Sequence, residues 1–117
     1  MASKMDYSVD KPGGELGVAH LSGRLDIGSA AEMKKAFAEA VAAGSRRLVV
    51  DLGLVSFIDS SGLSALVSGL RAARQAGGDL RIAAAGEQPS ALFSLTSLDQ
   101  VFRLYPTVEA AVDGYAE

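Results

Sequence analysis

Asp59, Ser60 and Ser61 are three consecutive side chains able to carry or receive a charge, and they stand between an apolar run and a helical pattern. Upstream, Leu48-Val49-Val50-Asp51-Leu52 is too short for a helix and is bounded by turn residues, as suits a strand buried on both faces. Downstream, Leu63, Leu66, Val67 and Leu70 recur at helical spacing. Each of the three polar side chains can cap the start of that helix. The same place has free backbone N–H groups and the positive end of a helix dipole, so it suits an anion or a phosphorylated serine. By residue type alone this is a helix cap, and a cap can also be a phosphosite. Ser61 is expected to help cap the helix. Ser64 is a third hydroxyl, expected on the solvent side of the helix.

Other chemistry is poorly supported. Asp, Ser and the single histidine, His20, invite a hydrolase reading. There is no Gly-x-Ser-x-Gly elbow to expose a nucleophile. His20 sits in an expected strand with no evident orienting partner, and is read as a partly exposed strand residue. Leu48-Val49-Val50-Asp51 resembles the strand of a Walker B motif, but no glycine-rich Lys-Ser/Thr loop is present to hold phosphate. The bland reading, a buried strand ending in a polar turn, is preferred, and the chain is not read as an enzyme. Cysteine is absent, which removes disulfides, thiol catalysis and Cys-based metal sites and fits a cytoplasmic location. One histidine cannot build a His-rich metal site, and neither metal nor cofactor is expected. A net charge of −3, with only Lys34-Lys35 and Arg46-Arg47 as basic pairs, argues against nucleic acid as a partner. Met1 to Tyr7 lacks the apolar core of a signal peptide, and no apolar run approaches the roughly 20 residues of a membrane span.

The elements that must position these residues follow from pattern. A chain of 117 residues, 49% hydrophobic and 21% charged, suits one domain over residues 1–117 with a single core. Met5 to Val9 and Glu15 to Leu21 read as a hairpin about a turn at Asp10-Lys11-Pro12-Gly13-Gly14. Ser29 and Glu32 make a capping box, followed by Met33, Phe37 and Val41 on one face, with Gly44 ending the helix. The helix from about Ser61 to Gln75 stops at Gly77-Gly78. Leu80 to Ala84 is a further strand. Gly86-Glu87-Gln88-Pro89 reads as a loop, with Ser90 capping a short helix through Leu95. Val101 to Leu104 is expected as a short edge strand. Pro106-Thr107 opens a last helix with Val108, Ala111, Val112 and Tyr115 on one face. The alternation gives an α/β domain with a mostly parallel sheet.

Phe57-Ile58-Asp59-Ser60-Ser61-Gly62-Leu63 resembles the signature of the STAS domain, and specifically of bacterial anti-sigma factor antagonists. Gly23-Arg24-Leu25-Asp26 matches a second segment of that family. Thr96-Ser97-Leu98-Asp99, Val101-Phe102 and Tyr105-Pro106 match a third, with Ser97 where the family usually has Gly. The resemblance covers nearly the whole chain. It implies a small mixed sheet, first strand antiparallel and the rest mostly parallel, with about four helices packed largely on one face. It implies phosphorylation at Ser60, with Asp26, Asp59, Ser61 and Gly62 around it. The implied partner surface is Asp26, Ile27, Gly28 and Ser29, with Ser56, Phe57, Asp59, Ser60, Ser61 and Ser64. Phe57 and Ile58 are expected to anchor the loop in or near the core. The implied partners are an anti-sigma factor of the histidine-kinase-like serine kinase type and a serine phosphatase. The unphosphorylated chain, a monomer when free, would bind the anti-sigma factor and release a sigma factor. The alternative keeps the fold but makes the chain a STAS subunit of a larger assembly, a stress-signalling complex or lipid-transport machine, without phospho-control.

Overall fold

A computed structural model describes residues 5–116. Five strands, β1 (Asp6–Gly13), β2 (Leu16–Leu25), β3 (Arg47–Ile58), β4 (Asp79–Ala83) and β5 (Leu104–Tyr105), lie side by side in chain order. β1 runs antiparallel to β2, and every later pairing is parallel. The parallel pairings require crossovers, supplied by α1 (Ala30–Ala42) between β2 and β3, α2 (Ser60–Gln75) between β3 and β4, and α3 (Glu87–Leu95) between β4 and β5. α4 (Val108–Tyr115) closes the chain.

Alternation along the strands splits the core in two. Leu48, Val50 and Leu52 of β3 face α1, α2 and α3, where they meet Met33, Phe37, Leu66, Leu70 and Phe93. Val49 of β3, with Val18 and Ala83, points to the other face and packs under Ala111 of α4. Three helices therefore share one face, and only the last covers the other. α4 turns the expected Val108, Ala111, Val112 and Tyr115 stripe to the sheet, with Thr107 accepting from the Ala110 amide at 3.0 Å.

Several element bounds differ from the sequence reading, each for a local reason. β1 continues through Lys11 and Pro12, so the turn narrows to Gly14-Glu15, and a bulge between Asp10 and Gly13 absorbs the irregularity. Proline is tolerated there because β1 is an edge strand. β2 runs on to Leu25 and β3 to Ile58, paired with each other throughout. β3 keeps β4 as a neighbour only from Arg47 to Asp51. α3 starts at Glu87, not at Ser90, with Pro89 in its first turn where no amide partner is needed. Val101 and Phe102 belong to a turn after a short 3-10 segment, Leu98–Gln100, and the last strand is Leu104–Tyr105. Ser97, where the family pattern has Gly, adopts φ 59°, the left-handed conformation that glycine reaches without strain.

The capping box at Ser29 does not form. Ser29 occupies the N-cap position of α1 without bonding a helix amide. Its buried hydroxyl instead donates to the Arg24 carbonyl at 2.9 Å and accepts from the Asp26 amide at 3.1 Å.

Candidate functional site

The end of β3 and the start of α2 are tied down from three sides. Gln88 of α3 grips both polar groups of one residue. Its Oε1 accepts from the Ile58 amide at 2.9 Å, and its Nε2 donates to the Ile58 carbonyl at 2.8 Å. β4 has already ended at this level, so the Gln88 amide takes the place of the missing neighbouring strand. Gln88 was assigned to a loop from sequence, where nothing marks a partner thirty residues upstream. On the opposite flank the Asp59 amide donates to the Leu25 carbonyl at 3.3 Å.

Asp59 caps α2, where the sequence reading favoured Ser61. The backbone at Asp59 is extended, φ −107° and ψ −174°, and its Oδ1 accepts from the Gly62 amide at 2.9 Å. Ser60 and Ser61 are already the first two helical residues. The second carboxylate oxygen of Asp59 accepts from the Ile27 amide at 3.1 Å. This bond draws the Asp26–Ser29 loop against the α2 start. Asp26 folds on its own loop, accepting from the Gly28 amide at 3.0 Å and facing Arg24 Nε at 3.4 Å. Arg24 also stacks over Phe57, its guanidinium carbon 4.3 Å from the ring centroid. Phe57 is half-buried beneath that arginine, while Ile58 is fully in the core.

The sequence-expected residues are thus brought together. Ile27 is 81% exposed at the tip of the loop, and Gly28 is exposed beside it. Ser60 and Ser64 are exposed, and Ser61 is half-buried. Ser56 is exposed on β3, its hydroxyl donating to the Gly23 carbonyl at 3.2 Å. Ser29 shapes the loop from inside and offers the surface almost nothing. Between α1 and α2 lies an open groove of about 430 Å³, lined by Ile27, Ala30, Ala31 and Lys34 on one wall and by Ser60, Ser61, Ser64 and Ala65 on the other. From sequence Lys34 reads as half of a basic pair on the polar side of the first helix, with Lys35 and Glu39, and not as a neighbour of Ser60. Its place on this wall depends on how α1 docks against α2.

His20 lies elsewhere and corrects the sequence reading. It has two partners: Nδ1 lies 2.7 Å from Asp51 and Nε2 lies 3.1 Å from Asp10. Those bonds, with Asp51 the stronger influence, raise its pKa above the ordinary value. No group of three or more metal-ligating side chains able to hold an ion occurs among the described residues. No helix among them is long and apolar enough to cross a membrane.

Comparison with known proteins agrees with this architecture. The family model of the STAS domain matches residues 8–111. The anti-sigma-F factor antagonist RsfB of Mycobacterium tuberculosis is 34% identical over 102 residues, spanning 84% of this chain and 81% of that protein. The crystal structure of an anti-sigma factor antagonist from Mycobacterium paratuberculosis superposes with a TM-score of 0.88 at 29% identity, covering 97% of this chain and 96% of the other. SpoIIAA shares the fold in both its unphosphorylated form, with TM-score 0.82, 20% identity and coverage of 95% and 96%, and its phosphorylated form from Bacillus, with TM-score 0.74, 19% identity and coverage of 94% and 99%. With its five-stranded mixed sheet, its Asp59-capped helix and a family match over almost its whole length, this chain belongs to the STAS domain family.

Proposed function

We propose that this chain is an anti-sigma factor antagonist, a binding switch controlled by phosphorylation of Ser60. The observation that carries the reading is the presentation of Ser60. It is exposed at the first residue of α2, beside an open groove, on a loop pinned by Asp59 and Gln88, in a chain 34% identical to an anti-sigma-F factor antagonist. Unphosphorylated, the chain would dock an anti-sigma factor of the histidine-kinase-like serine kinase type on Ile27, Gly28, Ser56, Phe57 and the exposed side of α2, and displace the sigma factor. The same partner would phosphorylate Ser60 with Mg-ATP, and a serine phosphatase would reset it. Nucleotide and metal belong to the partner.

The physical basis is charge. A phosphate adds roughly −1.5 to −2 at neutral pH. At the start of α2 the backbone amides tolerate it, so the fold needs little rearrangement. Asp26 and Asp59 lie on the same rim, and the added charge makes that rim strongly anionic. A partner that packs over it meets bulk, unmatched charge and desolvation, where like-charge juxtaposition costs several kcal/mol.

The test is the intact mass of the chain after incubation with Mg-ATP and candidate anti-sigma kinases, beside Ser60→Ala, together with binding titrations. One phosphate on the parent and none on Ser60→Ala is expected, with Ser60→Ala binding like the parent. Ser60→Asp should bind about tenfold or more weaker, though less impaired than the phosphoprotein, because a carboxylate carries less charge. Full-strength binding by Ser60→Asp would sink the charge mechanism. Tight binding to a partner with no phosphate transfer would favour a constitutive assembly subunit.

A further inference from the structure

The groove beside Ser60 contains one charged side chain, Lys34. Nothing on its own helix neutralises it. The positions three and four residues away are Ala30, Ala31, Phe37 and Ala38, so no acidic side chain stands at a pairing distance along α1. Among the described residues Lys34 enters no salt bridge and donates no hydrogen bond that the structure records. Lys35, its neighbour, points to another side of the helix and has Glu39 four residues on. The carboxylates nearest the α2 start are not available to Lys34 on equal terms. Asp59 is engaged by the Gly62 and Ile27 amides, and Asp26 by the Gly28 amide and Arg24. The wall facing Lys34 is built of small side chains, Ser60, Ser61, Ser64 and Ala65, and Lys34's own wall adds Ala30, Ala31 and the larger Ile27, which leaves space for a phosphate between the helices.

We infer that Lys34 is the counter-ion of phosphorylated Ser60, and that the modified serine lies in the α1–α2 groove against it. This rests on the reading of Ser60 as the phosphosite and adds how the modified state is held. Phosphorylation then does two things at once. It occupies the Ser60 side of the groove that the free protein presents, and it neutralises the groove's one cation, which the free protein can offer to an acidic group on its partner. A shorter carboxylate at residue 60 does neither fully, since its charge sits closer to the α2 backbone.

The test is made on the full chain with phosphoserine installed at residue 60 during translation, so that no kinase is needed. The phosphate's second ionisation, ordinarily near pH 6, is followed by 31P NMR. The groups that set it are Lys34 from α1, Asp26 and Arg24 from the end of β2 and its loop, and Asp59 at the start of α2. Lys34→Gln is expected to raise that ionisation by about half a unit. Lys34→Arg should keep the parent value, and Lys35→Gln should leave it in place. Superimposable curves for the parent and Lys34→Gln would overturn the pairing. So would equal shifts in Lys34→Gln and Lys35→Gln, which would mark only a general field. In a separate arm the unmodified chain is offered to candidate kinases with Mg-ATP. Failure there overturns the Ser60 switch while the titration still judges the pairing, so the two ideas fail separately.

Discussion

An added Cβ on Gly62 would overlap the Leu25 carbonyl oxygen and stand 2.8 Å from Leu25 Cγ. That carbonyl is the group that receives the Asp59 amide. The glycine therefore lets the first turn of α2 press against the end of β2, which sets where Asp59 and Ser60 emerge. Gly62→Ala must push the two apart, and overpacking of this kind costs about 1–3 kcal/mol. Urea unfolding should show a stability lower by that amount, read as a reduced midpoint at unchanged slope, and under the proposed switch Ser60 should be phosphorylated more slowly by the same kinase. A midpoint equal to the parent's would mean the contact yields easily. Much at this scale was legible from sequence. Asp59-Ser60-Ser61 could be read as a helix start because those residue types accept amide hydrogen bonds. Which of them caps could not be read, since it depends on the one residue whose backbone stays extended. The Ser29-x-x-Glu32 pattern misled for the same reason: ψ at Ser29 is −9°, and its hydroxyl turns back to Arg24.

Among elements, order and type were legible and ends were not. β3 was visible only where it is covered on both faces. Beyond Leu52 the strand continues, but Gly53 and Ser56 interrupt the apolar run and Leu54, at 77% exposure, faces solvent, so pattern alone does not carry the strand to Ile58. His20 shows the other limit. Its partners are ten residues upstream and thirty-one downstream, joined to it by the register of β1 on β2 and β2 on β3. The imidazole thus clasps the edge strand β1 to the sheet. Asp51 holds it from β3 and Asp10 from β1, while Glu109 and Asp113 of α4 line a shallow hollow shared with it. Its pKa is raised above 6.5 in the folded chain, so folding favours the protonated ring. The contribution is complete below about pH 6.5 and is lost as the pH rises through the folded value. The parent should lose stability over that window relative to its His20→Gln variant, which lacks the titrating group. Denaturation at pH 5.5 and pH 8.5 would check this. An equal pH response in both chains would remove His20 as the cause, and a His20 NMR titration below 6.5 would reverse the sign.

At the scale of the whole molecule, the two faces of the sheet carry different duties. The groove, Ser60 and Gln88 sit at the carboxyl end of β3, on the side with three helices. α4 is fastened to the other face, at the start of the same strand. The Tyr115 hydroxyl lies 2.8 Å from the carbonyl oxygens of both Leu48 and Asp79, and Arg81 stacks on its ring at 3.8 Å. Burial pushes the phenol far above its ordinary pKa, so it remains a neutral donor throughout the physiological range. The Pro106-Thr107 start and the Val108, Ala111, Val112, Tyr115 face made α4 readable, but not the strand ends it would join. Tyr115→Phe keeps the ring under Arg81 and removes only the hydroxyl. It should cost about 1 kcal/mol, a few degrees of Tm. Because the lost bond and Ser60 lie at opposite ends of β3, phosphate transfer to Ser60 and partner affinity should remain those of the parent at temperatures where both chains are folded. A calorimetric scan and the kinase assay on the same preparations would decide it. Unchanged Tm would mean the hydroxyl contributes nothing net. Lowered Tm with an equally slowed kinase reaction would mean that α4 and the groove are coupled through the sheet, and that the back face shares in control of the proposed switch.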